Sequence, residues 1–272
     1  MQRQIAFIGA GNMAASLIGG LLRAGTPAGS IVAADPAPEQ RQRLAASGIA
    51  TTADNVAAIN DANVIVLAVK PQVMRTVVRN LRDHLDHRPL LISIAAGVTT
   101  ASIATWSRAD APIVRCMPNT PALYGAGITA LFANDRVEPG QRALARDILA
   151  AAGEVLWVEA EAQLDAVTAV SGSGPAYFFY LMEAMVQAGT RLGLAPDVAA
   201  RLTVSTAYGA AVMARETGTD PAGLRRNVTS PGGTTERAIA VLDDASVQHA
   251  FREAIEQAAI RSRELAEQFG KQ

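Results

Sequence analysis

A chain of 272 residues, half of them hydrophobic, has material for two compact domains each with its own core, which excludes a disordered chain. The formal net charge is -1 and no basic block occurs, so neither a nucleic acid nor an anionic membrane surface is expected as a partner. Cys116 is the only cysteine, which rules out an intrachain disulfide and fits a reducing, cytoplasmic setting. Apolar runs such as Val64 to Val69 are too short to span a bilayer, and the N-terminus enters a core strand without a signal-peptide pattern. His84, His87 and His249 have no cysteine cluster or His-Glu-x-x-His helix around them, so no metal site is expected.

Ile5 to Ile8 reads as a strand that breaks into Gly9-Ala10-Gly11-Asn12-Met13-Ala14, after which helical spacing runs from Met13 to Ala24 and ends at Gly25 and Pro27. This is a Gly-x-Gly-x-x-Ala turn. Gly9 lets the chain turn sharply, Gly11 lets a pyrophosphate approach the backbone, and Ala14 lets the helix sit close to the strand. The free N–H groups that open the helix then face the phosphates of a dinucleotide, with the helix dipole favouring their charge. A plain tight turn is the alternative.

Ile31 to Ala34 reads as the next strand, closed by Asp35. In a dinucleotide fold this position accepts hydrogen bonds from the adenosine ribose hydroxyls, and its charge repels a 2′-phosphate. Arg41 and Arg43 follow on a helix and are able to pair with that same phosphate, so NADH and NADPH both stay open. A short strand near Ile49 to Thr51, a helical stretch from Asn55 and a strand within Asn63 to Val69 continue the alternation. Val64 to Val69 is apolar on both faces, as a central parallel strand requires. Its end at Ala68-Val69-Lys70-Pro71 falls where open α/β sheets bind ligands, past the carboxyl ends of the strands. Leu90 to Ile94 ends in Ala95-Ala96-Gly97, small residues against which a flat ring can lie. Ile113 to Met117 ends in Pro118-Asn119-Thr120-Pro121, a rigid turn that places an amide near the crevice.

Ile128 to Phe132 and Val155 to Val158 read as the last strands, with a helix from Gly140 to Ala151 between them. Eight strands alternating with helices predict a doubly wound parallel sheet of Rossmann type over residues 1–160. From Glu161 the pattern is helical: Ala162 to Val170, Ala176 to Leu192, Pro196 to Thr217, a piece opened by Asp220-Pro221, Thr235 to Leu242 and Ser246 to Phe269. This makes residues 161–272 an all-helical domain. Tyr177 to Met182 is apolar almost all round, more than so small a domain can bury alone, which predicts packing against a second subunit. Ser171-Gly172-Ser173-Gly174-Pro175 reads as a turn at the domain junction. Val228-Thr229-Ser230-Pro231-Gly232-Gly233-Thr234-Thr235 reads as a loop before a helix start, its exposed N–H groups suited to a carboxylate, with helix capping as the alternative.

Taken together, Gly-Ala-Gly-Asn-Met-Ala at Gly9, Ala68-Val69-Lys70-Pro71, Arg115 to Pro121, Ser171 to Tyr177 and Val228 to Thr235 run along the whole chain in an order that resembles pyrroline-5-carboxylate reductase. The resemblance implies NAD(P)H-dependent reduction of the cyclic imine 1-pyrroline-5-carboxylate to L-proline, the last step of proline biosynthesis. It also implies a Rossmann domain followed by an interleaving dimerisation domain, a homodimer, and in many members a decamer of five dimers. The substrate site is then formed by one subunit's nicotinamide and the Gly-Gly-Thr-Thr loop of the partner. The resemblance places the substrate at Val228, Ser230, Gly233, Thr234 and Thr235, with the Thr235 hydroxyl at the ring nitrogen as the catalytic contact. It places the cofactor at Gly9, Ala10, Gly11, Asn12, Met13, Asp35, Asn55, Ala68, Val69, Lys70, Pro71, Ala95, Gly97 and Asn119. Asp35 departs from members that prefer NADPH, which carry small hydroxyl residues near here. A 3-hydroxyacid dehydrogenase has a related layout but needs a lysine acid/base in its second domain, and the chain's only lysines are Lys70 and Lys271. A non-catalytic dinucleotide sensor is the reading from another class.

Overall fold

Apolar strands that alternate with amphipathic helices have to bury both faces of a sheet, and the chain does this over its first 160 residues. The computed structural model describes residues 4–271. In chain order the strands are β1 (Ile5–Ile8), β2 (Ile31–Ala34), β3 (Ala50–Thr52), β4 (Val64–Leu67), β5 (Leu90–Ser93), β6 (Ile113–Met117), β7 (Gly127–Ala133) and β8 (Gly153–Trp157). The helices among them are α1 (Asn12–Arg23), α2 (Pro38–Ala45), α3 (Asn55–Ile59), α4 (Pro71–Leu81), α5 (Thr100–Trp106) and α6 (Pro139–Ala150). The sheet order is β3-β2-β1-β4-β5-β6-β7-β8. Strand order therefore reverses beside β1, whose Ile8 pairs with Ala34 on one side and Leu67 on the other. That reversal opens the ligand crevice of such sheets at the carboxyl end of β1.

Alternation along the strands divides the core. Phe7, Val66, Ile92 and Cys116 point to the face covered by Leu17, Ile18 and Ile148, from α1 and α6. Ile8, Ile65, Leu67 and Ile113 point to the face covered by Met74, Val78, Ile103 and Trp106, from α4 and α5. Both faces of β1 and β4 are fully buried, as parallel strands sandwiched by helices must be.

One strand pairing departs from the expected pattern. β7 runs antiparallel to β6, with Cys116 opposite Leu131, while β8 is parallel to β7. Residues 118–126 between them hold only the short 3-10 helix Thr120–Tyr124. A parallel return needs a crossover of a dozen residues or more, so this connection can only fold back.

The helical part comprises α7 (Gln163–Val167), α8 (Gly174–Arg191), α9 (Pro196–Thr217), α10 (Pro221–Asn227), α11 (Thr234–Asp244) and α12 (Val247–Lys271). The chain forms two compact units, Met1–Ser173 with Gln257–Gln272, and Gly174–Glu256. Ser171 to Gly174 is not the turn that its glycines suggest: Thr168–Gly172 is π-helical and leads through Ser173 into α8. The Ser173 N–H donates to the Thr168 carbonyl at 2.8 Å, the i→i−5 bond of that geometry. Gln257 onward packs with the sheet unit, where Ser262 donates to Asp165 at 2.7 Å and the Phe269 ring lies against Gly97. In the second unit α8 and α9 pack at Gly189 and Ala199, yet Phe178, Tyr180 and Tyr208 are 65%, 75% and 73% exposed. Among the described residues, no helix is long and apolar enough to cross a membrane.

Candidate active site

The first glycine turn is built from β1 into α1. Gly9 has φ +100°, and a Cβ there would stand 2.6 Å from the Ala68 carbonyl oxygen, so the chain needs glycine for both conformation and space. The Gly9 N–H donates to the Ala34 carbonyl and the Ala68 N–H to the Ile8 carbonyl, each at 2.8 Å. These bonds lock the turn to both neighbouring strands. Gly11 differs: it is the N-cap of α1 with ordinary φ, and a Cβ on it meets nothing within 4 Å. Packing therefore does not explain Gly11, whereas the approach of a ligand does. No side chain caps α1, so the opening N–H groups at Asn12, Met13 and Ala14 are left to such a ligand.

The turn is held from the side by the end of β2 and by α2. The Asp35 carboxylate accepts the Ala10 N–H at 2.8 Å and the Ala37 N–H at 2.9 Å. Arg43 donates to the Ala10 carbonyl at 2.8 Å and to the Asn12 side-chain oxygen at 2.9 Å. Both backbone groups of Ala10 are thus fixed by charged side chains. Arg41 donates to the carbonyls of Asp35 and Pro36. Asn55 is the first residue of α3 and is half-buried, in a turn where Asp54 caps the helix by accepting the Val56 N–H at 2.8 Å.

At the ends of β4 to β6 the candidates divide. Ala68 and Val69 are half-buried, Lys70 is exposed, and Pro71 opens α4. Ala95 is buried, and the space beside Gly97 is filled by Phe269 rather than left for a ring. The Asn119 amide is used within the protein, donating to the Ser171 carbonyl at 3.2 Å and accepting the Ile128 N–H at 3.0 Å. Burial pushes the Cys116 thiol far above the ordinary thiol range, with the charge of Arg115 pulling the other way, and the group donates to the Ser93 carbonyl. It is an inert core residue.

The second glycine turn precedes α11. Gly232 has φ +72° and donates its N–H to the Glu236 carboxylate at 2.7 Å; the Gly233 N–H donates to the Ser230 carbonyl at 3.0 Å. Gly233 is the N-cap and no side chain caps the helix. The Thr234 and Thr235 N–H groups are free at the helix start, and the hydroxyls of Ser230 and Thr235 have no hydrogen-bond partner among the described residues. Ser230 and Thr234 are exposed, Val228 is 55% exposed and Thr235 is half-buried. Helix capping thus leaves these hydroxyls unexplained. N–H donors aligned with a helix dipole and two free hydroxyls form a cradle for a small carboxylate.

Residues 161–265 match the family profile described as pyrroline-5-carboxylate reductase dimerisation. A pyrroline-5-carboxylate reductase of Pseudomonas aeruginosa is 52% identical over 98% of this chain and 98% of its own length. The chain belongs to the pyrroline-5-carboxylate reductase family. The structure of the member from Coxiella burnetii, 42% identical, superposes with a TM-score of 0.93 over 98% of this chain and 99% of the other. The Plasmodium falciparum member, solved with NADP bound, is 27% identical, with a TM-score of 0.88 over the same shares. Residues 4–97 also match a profile described as NADP oxidoreductase, coenzyme F420-dependent.

Within this pyrroline-5-carboxylate reductase fold, two arrangements were not read from the residues. One is the hold that Asp35 and Arg43 have on Ala10, since hydrogen bonds across 25 and 33 residues leave no mark in local spacing. The other is the ion pair of Arg115 with Glu161 at 3.1 Å, where Glu161 also accepts the Thr100 N–H and hydroxyl, each at 2.8 Å. A lone arginine within the apolar run Ile113 to Met117 was its signal, because a buried charge demands a partner.

Proposed function

We propose that the chain catalyses the NAD(P)H-dependent reduction of 1-pyrroline-5-carboxylate to L-proline, the last step of proline biosynthesis. The observation that carries this reading is the turn before α11, where free N–H groups and the unpaired hydroxyls of Ser230 and Thr235 stand together in the segment the family uses. Membership at 52% identity over nearly the full chain supports it.

In this reading residues 1–160 bind the dinucleotide, and residues 161–272 supply dimerisation and the substrate cradle. Ser230 and the N–H groups of Thr234 and Thr235 hold the carboxylate, with Val228 beside it; the Gly233 N–H, expected there too, is used within the turn on the Ser230 carbonyl, and the Thr235 hydroxyl reaches the ring nitrogen. The first turn takes the pyrophosphate at Gly9 to Met13, with Asp35, Asn55, Ala68 to Pro71, Ala95, Gly97 and Asn119 around the rest of the cofactor. The open space at Gly11 and the uncapped start of α1 fit that group. When bound, the reduced nicotinamide supplies the hydride for the imine carbon. Thr235 orients the nitrogen as it becomes an amine, and the proton it gains comes from solvent; the carboxylate that follows this turn in the chain, Glu236, is held by the Gly232 N–H that it accepts. Catalysis is mainly the placement of two bound reactants.

The same reading includes a homodimer, supported by the exposed apolar residues of α8 and α9 and by the dimerisation profile. It extends to a decamer of five dimers and a cytoplasmic location. Asp35 carries its charge at the turn, while Arg41 and Arg43 lie beside it on backbone carbonyls, so NADPH remains open beside NADH. The test is oxidation of NADH and of NADPH by the purified protein on addition of 1-pyrroline-5-carboxylate. Turnover with at least one cofactor, absent without the imine, is expected. Cofactor binding without imine-dependent oxidation would favour a sensor.

A further inference from the structure

Gln72, Arg75, Thr76 and Arg79 fall at i, i+3, i+4 and i+7 of α4 and share one face of that helix. With Pro71, which the cofactor reading also uses, and with Trp106 of α5 and Phe269 of α12, they line a cavity of about 370 Å³ on the sheet unit. Two guanidinium groups four residues apart repel each other unless an anion lies between them. Among the described residues no acidic side chain lines the cavity and neither arginine is paired with a carboxylate. The Nε of Arg75 is buried without a hydrogen-bond partner, as is that of Arg108. The aromatic walls, Trp106 and Phe269, are 4% and 6% exposed and thin the water around these charges. A neighbouring cleft shows the contrast. There Arg108 lies among Asp83, Asp86 and Asp110 and is paired with two of them, so that cleft neutralises itself.

We propose that the α4 cavity is an anion site, distinct from the first glycine turn, that takes a compact phosphate-bearing ligand. Its acidic group is gripped in the forks of Arg75 and Arg79, the geometry in which guanidinium binds phosphate best. Gln72 and Thr76 add polar contacts, and the remainder of the ligand lies against Trp106.

The test is calorimetric titration of the full-length protein with inorganic phosphate, at constant ionic strength set with chloride and with NADP⁺ saturating so that the pyrophosphate turn is filled. One phosphate site per chain is expected, weakened about tenfold or more by Arg75→Gln with Arg79→Gln, on the scale of one lost charge-assisted hydrogen bond. Arg79 is exposed, so Arg79→Gln alone keeps the test sound if the double variant does not fold, and it too must weaken binding. Heat no different from that of chloride, or phosphate binding unchanged in the variants, overturns the proposal. Imine-dependent NAD(P)H oxidation on the same samples reports separately on the reductase reading, which stands or falls without this site.

Discussion

Gly9 and Gly11 are two residues apart and serve different ends. Alanine at position 9 must adopt φ +100° and enter the Ala68 carbonyl, whereas at position 11 it meets open space. Gly9→Ala is therefore expected to cost about 2 kcal/mol or more of stability, the scale of a strained left-handed residue with a clash. Gly11→Ala should unfold at the wild-type temperature yet raise the cofactor KM about tenfold or more, because the added methyl occupies the space of the pyrophosphate. Thermal denaturation and steady-state kinetics on the two variants check both halves. The Gly-x-Gly spacing was legible because the turn is local. Asp35 was legible as a strand-end acid, but its bond to the Ala10 N–H was not, since Ala10 lies 25 residues away on the neighbouring strand's turn; its other partner, the Ala37 N–H, is local.

Strands and long helices were read closely because their apolar spacing is strong: Ile31–Ala34, Ile113–Met117 and Pro196–Thr217 begin and end where expected. Direction was harder. Period-two patterning is the same whichever way a strand runs, so the antiparallel β7 followed only from the short segment before it. Ser171 to Pro175 reads as a turn because serine and glycine are turn formers, yet Thr168–Gly172 is π-helical, closed by the i→i−5 bond of Ser173, and the chain continues as helix. Glu161 joins these elements, tying buried Arg115 of β6 to the start of α5. Glu161→Ala leaves that arginine charged and unpaired, so a loss of about 3 kcal/mol is expected in denaturant unfolding. A loss near zero would mean that Arg115 finds another partner.

At the scale of the whole molecule, the fold joins a dinucleotide turn to a helical unit whose residues match the dimerisation profile of the family. The helical unit exposes Phe178, Tyr180 and Tyr208, and a second copy of the chain is the cover that the reductase reading gives them. The first turn suits a cofactor class; family membership names the reaction, and the proposed role of the residues before α11 is to bind its substrate. That second assignment rested on the order of motifs more than on local chemistry, because a Gly-Gly-Thr-Thr segment also suits an ordinary helix start. In the folded turn no side chain caps α11, which leaves its opening N–H groups open to a ligand. The central claim is that the Thr235 hydroxyl acts on the substrate nitrogen, and kcat of Thr235→Ala with 1-pyrroline-5-carboxylate tests it most directly. A fall of about 10- to 100-fold with the cofactor KM unchanged is predicted, the scale of one hydrogen bond to a charged group. A kcat equal to that of the wild type would contradict it.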